Sequence, residues 1–217
     1  MPRPGAAGRP ALPGVRAASP ALRAALRRDP AAAGRLNELL SSAGALFGCQ
    51  AGEALFYTGF DRDDATPGRL DAALAELRAA LFLAGEGFTG VRPLGRAECR
   101  TADLAAARGG EEYLFEVRWV SGGFGADAVK KLSAKCERKG VQLRAALKRA
   151  PGGRGGIIFV AGPLFAASAL SAPGLAAAAR EVCAAQTRPG LHICLLAGDA
   201  AAVCPPWAPA GNGPKNV

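Results

Sequence analysis

Histidine is nearly missing from this chain: His192 is the only one in 217 residues, and it lies between Leu191 and Ile193. A Ser-His-Asp triad would have to use a residue whose neighbours mark it as part of a core strand. The six cysteines (Cys49, Cys99, Cys136, Cys183, Cys194, Cys204) contain no C-x-x-C pair. Structural zinc is therefore poorly supported. Cys136, Cys183 and Cys194 stand among apolar residues at helix or strand spacing, which reads as buried, reduced thiols in a cytoplasmic protein. No segment approaches the roughly twenty uninterrupted apolar residues of a membrane span, so no membrane role is expected. Acid is absent from the first 28 residues, which hold six arginines. With one serine and many Ala, Pro and Gly, that stretch reads as a disordered tail rather than a transit peptide. No internal repeat is present.

What the chain does have is apolar content and an uneven charge. Half of its residues are hydrophobic, enough for one domain with a proper core plus appendages. The net charge is +9 and the pI about 9.7. Between Ala126 and Arg154 lie Lys130, Lys131, Lys135, Arg138, Lys139, Arg144, Lys148, Arg149 and Arg154, against Asp127 and Glu137 alone. Charge concentrated on one element points to nucleic-acid or phosphate contact. A solvated helix face is the competing explanation.

Along the chain the reading is a tail over 1–20, a helical extension over 21–65, an α/β domain over 66–200 and an irregular tail over 201–217. In the extension, 21–28 and 36–47 look like short helices broken at Asp29-Pro30. Residues 61–68 form a polar loop whose acids lack the spacing of a calcium site. Thr66-Pro67 is a helix start, and Leu70, Leu74, Leu77 and Leu81 form one stripe of the helix that follows. Gly85 and Gly87 end it. Strands are expected over 88–94, 97–104 and 112–120, with 105–111 as the hairpin joining the last two. A long helix over 126–149 follows, with Val129, Leu132, Cys136, Gly140, Leu143 and Leu147 on one face. After a glycine-rich turn, 156–161 and 191–197 are continuous apolar runs that suit strands covered on both faces. An alanine-rich helix over 173–187 separates them. The expected architecture is α/β: a mixed central sheet flanked by helices, with a meander first and parallel crossovers after it.

The stretch EEYLFEVRWV raises the functional question. At period two, Tyr113, Phe115, Val117 and Trp119 take one face, and Leu114, Glu116, Arg118 and Val120 the other. Glu116 and Arg118 thus point the same way. Asp103 ends the preceding predicted strand, and neighbouring strands lie about 4.8 Å apart, so Asp103 and Glu116 can converge on one divalent cation. Phosphodiester hydrolysis needs a hard cation held by carboxylates and a positive charge nearby. A sheet-surface ion pair worth a fraction of a kcal/mol is the plain alternative.

This arrangement resembles the restriction-endonuclease-like PD-(D/E)XK nuclease superfamily. The resemblance spans roughly 66–197 and rests on element order, Asp103 and the motif Glu116-Val117-Arg118. It implies an αβββαβαβ core and a metal-dependent nuclease acting on DNA, working as a homodimer or as a module of a larger assembly. Asp103 and Glu116 would be the ligands of Mg2+ (or Mn2+), with Glu76 matching the acid that some members add from the first helix. Gln142 matches a residue that others supply from the helix after the motif strand. The chain departs from the pattern twice. Ala102 stands before Asp103 where proline is usual, and Arg118 stands where lysine is expected. Arginine binds phosphate in two-pronged fashion but does not hold or deprotonate water as lysine does. Lys135 or Lys139, on the basic helix, would take that catalytic role. Lys131, Lys135, Arg138, Lys139 and Gln142 form the expected nucleic-acid-binding set. Two further readings remain: a nuclease-like fold that binds nucleic acid without cleaving it, and an interaction protein whose basic helix meets an acidic partner.

Overall fold

The structure, a computed structural model, describes residues 30–61, 66, 68–94, 102–121, 124, 127–149, 153–162 and 171–208. The arginine-rich tail, the helix expected over 21–28, and residues 97–101 of the second expected strand lie outside that set. The described elements, in order, are α1 (Pro30–Phe47), α2 (Ala54–Tyr57), α3 (Arg69–Gly85), β1 (Thr89–Pro93), β2 (Leu104–Arg108) and β3 (Glu111–Val120). They continue with α4 (Ala128–Leu147), β4 (Arg154–Ala161), α5 (Ala172–Ala184), β5 (Leu191–Ala197) and β6 (Ala200–Cys204). No helix among the described residues is long and apolar enough to cross a membrane.

All six strands form one mixed sheet in the order β1-β2-β3-β4-β5-β6. The first three make an antiparallel meander, β3, β4 and β5 run parallel, and β6 returns antiparallel to β5. The fold is therefore α/β. Strands β4 and β5 are both interior to the sheet, and from Gly155 to Ala161 and from Leu191 to Ala197 every residue is buried. That double-sided burial is why both read as unbroken apolar runs.

Helices cover both faces. Helices α4 and α5 lie on one face, where Leu132, Leu143, Leu175 and Val182 pack with Ile157, Phe159, Ile193 and Leu195. On the other face α3 sets Ala75, Ala79, Ala80 and Leu83 against Phe115, Val117, Ile158 and Val160. The leucine stripe of α3 turns away from the sheet: Leu70, Leu74 and Leu77 pack with Leu36, Leu40 and Leu55 of α1 and α2. Both sides of α3 are thus apolar. Its small alanines allow it to lie close to the sheet, while its leucines fill the gap beneath the outer helices.

Several boundaries differ from the sequence reading, each for a local reason. Within the described residues the first helix already runs from Pro30, six residues earlier than expected, while the expected break at Asp29-Pro30 abuts residues outside the described set. Helix α3 begins at Arg69 behind Gly68, whose φ is 81°, and not at Thr66-Pro67. The second strand is displaced most. Residues 105–108, taken for a hairpin connection, are strand, and the turn is Gly109-Gly110, both with positive φ. That pair is the mark of a tight two-residue hairpin, whose mirror-image turn matches strand twist. Three alanines hid the strand, since they carry little β preference of their own and are held by pairing with Glu112, Tyr113 and Leu114.

The expected irregular tail after residue 200 is also partly ordered. Ala200–Cys204 is the sixth strand, and Trp207 folds back into the core among Phe88, Tyr113, Phe115 and His192. The Trp207 indole donates to Glu86 at 3.0 Å, and His192 Nδ1 meets the Pro205 carbonyl at 2.8 Å. His192 is a core residue under this strap; burial lowers its pKa.

Candidate active site

Strand β3 carries the site. Its odd-numbered residues Tyr113, Phe115 and Val117 enter the α3-side core, while Leu114 packs on the α4 side. Period two then places Glu116 and Arg118 with Leu114. Glu116 is one of the few buried polar side chains, at 3% exposure. A surface position is excluded for it; the ion pair it makes with Arg118 lies at the edge of the core.

Asp103 lies just before β2, beyond the paired register that ends with Leu104 opposite Phe115, and not at the end of a strand. Its backbone N–H donates to the Phe115 carbonyl at 2.8 Å. Its carboxylate accepts from the Val117 N–H at 2.7 Å. That bond uses a β3 donor otherwise left over where the ladder ends, and it pins the side chain beside Glu116. The other Asp103 oxygen is left for a further partner.

Three cationic or polar groups close in. Arg118 donates from a guanidinium nitrogen to Glu116 Oε1. Lys139, from α4, reaches the same oxygen at 3.2 Å and also donates to Gln142 Oε1 at 3.1 Å. The Arg118 Nε is buried with no hydrogen-bond partner. Of the two lysines proposed from sequence, Lys139 is in the site; Lys135, one turn earlier and half-buried, forms no ion pair among the described residues. Lys131, Arg138 and Gln142 are exposed along the outer side of α4.

Glu76 arrives from the opposite side, on α3. Burial raises its pKa to about 9, and the charges of Asp103 and Glu116 add to the rise against Arg69 and Arg118. The Asp103 pKa is raised by burial, opposed by the Val117 N–H, Arg118 and Lys139. Glu116 is raised by burial and then by Asp103, opposed by Arg118 and Lys139. Three carboxyls from three elements therefore feel one another inside a poorly hydrated space. Each makes ionisation of the others harder. Among the described residues, no three of the His, Cys, Asp and Glu side chains converge closely enough to form a metal cage on their own.

Two contributors escaped the sequence reading. Arg69, in the first turn of α3, carries a charge that Glu76 feels. Gly68 lies flat on Trp119, the residue after Arg118; a Cβ there would come within 2.7 Å of the indole. Only a glycine meets both that contact and the positive φ. The start of the helix bearing Glu76 is thus seated on the strand bearing Glu116. A glycine just after Pro67 was the available signal.

Compared with protein-family models, with curated proteins and with solved structures, the chain matches none.

Proposed function

We propose that this chain is a metal-dependent nuclease with a restriction-endonuclease-like core, hydrolysing phosphodiester bonds in DNA. The supporting observation is the geometry around Glu116: Asp103 is pinned beside it by the Val117 N–H, and Arg118 and Lys139 both reach its Oε1, while Glu76 feels both acids. The three acids come from α3, from the turn before β2 and from β3, beside Arg118, Lys139 and a helix rich in lysine and arginine.

The donor set suits magnesium or manganese. Buried carboxyls whose ionisation is disfavoured are ionised by a divalent cation, which takes the place of their protons and balances their charge. Magnesium takes one or two carboxylates and fills its remaining positions with water and substrate phosphate, so two acids are enough for it. Asp103 and Glu116 would hold the ion, with Glu76 facing it. When bound, the ion supplies Lewis-acid polarisation of the phosphate and a more acidic water.

The chain's own groups have separate tasks. The Val117 N–H orients Asp103. Lys139 Nζ, held between Glu116 and Gln142, takes the place of the lysine missing from the motif strand. The half-exposed guanidinium of Arg118 binds a phosphate oxygen, and its charge opposes the negative charge that builds on phosphate during displacement. Exposed Lys131 and Arg138, with Lys135, line the approach for the nucleic-acid backbone.

A second reading, binding without cleavage, is favoured by one feature: Arg118 and Lys139 both engage the same Glu116 oxygen, which neutralises part of the site without a metal. Cleavage of duplex and single-stranded DNA and of RNA with Mg2+ or Mn2+, against a chelator control, separates the two. Glu116→Gln is expected to abolish cleavage and preserve or tighten binding. Arg118→Lys is expected to retain activity. A wild type inert on every substrate, with an Arg118→Lys variant that cleaves, would establish the non-catalytic binder. Inertness in both, with no metal affinity dependent on Asp103 and Glu116, would leave Glu116–Arg118 as an ion pair alone.

A further inference from the structure

Helix α5 and the edge strand β6 each bring a cysteine to the same seam. Cys204, the last residue of β6, pairs in register with Ile193, whose side chain belongs to the core beneath α4 and α5. Cross-strand partners share a face, so Cys204 points toward α5. Cys183 follows Val182 in the last turn of α5, and both cysteines pack against that same core. Across the seam the Cys204 thiol lies close enough to Cys183 to act on it electrostatically. Both are free and only half-buried. Gln186 Nε2 donates to Cys183 Sγ at 3.6 Å, while its Oε1 accepts from Arg144 at 3.1 Å.

We propose that Cys183 and Cys204 form a reversible dithiol–disulfide pair that fastens α5 to β6 in the presence of a small disulfide such as glutathione disulfide. Burial pushes the Cys183 thiol up to about 11, which makes it the slower nucleophile and the second to attack. The Cys204 thiolate displaces one small thiolate and leaves a mixed disulfide. Cys183 then attacks Cys204 Sγ, expelling the second small thiolate, which takes up the Cys183 proton. In balance, two protein thiols and one small disulfide become one protein disulfide and two small thiols. The bond would anchor the root of the segment that carries Pro205 onto His192 and Trp207 onto Glu86.

The test equilibrates the full chain in glutathione buffers of graded ratio, alkylates the free thiols and maps non-reduced peptides by mass spectrometry. A single intramolecular Cys183–Cys204 bridge is expected. It should raise Tm by roughly 5–10 °C, in line with closing a loop of about twenty residues in a chain of this size. Reductant should reverse the shift, and Cys204→Ala should abolish it. Cys136 also lies within electrostatic reach of Cys183, so a Cys136–Cys183 bridge is the informative competitor. That bridge, glutathione adducts alone, links between chains, or fully alkylated thiols at the most oxidising ratio would each overturn the proposal. Mapping the wild type decides the matter even if the variant misfolds.

Discussion

Glu76 shows most clearly how environment changes one residue's chemistry. It sits on an alanine- and leucine-rich helix, yet burial and two neighbouring carboxyls hold its proton to about pH 9. The consequence for stability has a definite sign. Unfolded chain loses this proton near pH 4.5 and folded chain near 9, so between those values the folded state binds more protons. Stability falls as pH rises across that window. Glu76→Gln should therefore raise Tm by a few degrees at about pH 8 and leave it unchanged at about pH 4. Thermal melts at the two pH values, without divalent cation, check this; an equal shift at both would mean that the proton is not the cause.

At the scale of elements, glycine decides how closely α4 approaches the sheet. A Cβ on Gly155 would come within 2.7 Å of Leu147 on α4 and 3.1 Å of Leu191 on β5. Gly155→Ala should cost about 1–3 kcal/mol, the usual range for overpacking a filled core, read from denaturant midpoints. The same helix presents two sides. Lys139 turns inward to Glu116, whereas Lys131 and Arg138 face solvent. Replacing Lys131 and Arg138 together by alanine should weaken nucleic-acid binding and reduce the salt slope by roughly one unit per lost phosphate contact. Lys139→Ala should instead lower turnover by orders of magnitude with a smaller change in that slope. A slope untouched by the outer pair would mark that side of α4 as ordinary solvated surface.

Across the whole molecule, the outer helices are part of the fold and not an accessory to it. The leucines of α3 have α1 and α2 as their cover. Deleting residues 1–61 would expose Leu70, Leu74 and Leu77, each worth about 1.5–3 kcal/mol of burial. The truncated chain is expected to lose cooperative unfolding and to aggregate, as circular dichroism melts and size-exclusion chromatography would show. A shortened chain that melts cooperatively would mean that the α/β unit beginning near residue 66 is self-sufficient.

The sequence by itself determined those features that a repeating pattern or a concentrated composition imposes. The apolar runs of β4 and β5, the alternation along β3 and the charge of α4 were all legible, because each depends on residues adjacent in the chain. Glu116 and Arg118 on one side of β3 followed from the same alternation. Only the tertiary structure decided the rest. It chose Lys139 over Lys135, since a helix face is settled by what packs beneath it. It set Asp103 beside Glu116 by means of a Gly-Gly hairpin whose alanine strand has no pattern of its own. It brought Glu76 to the site from across the sheet, which no local spacing reports. It also ordered Ala200–Cys204 and drew Trp207 onto His192, contacts that exist because an edge strand and an open aromatic core needed covering.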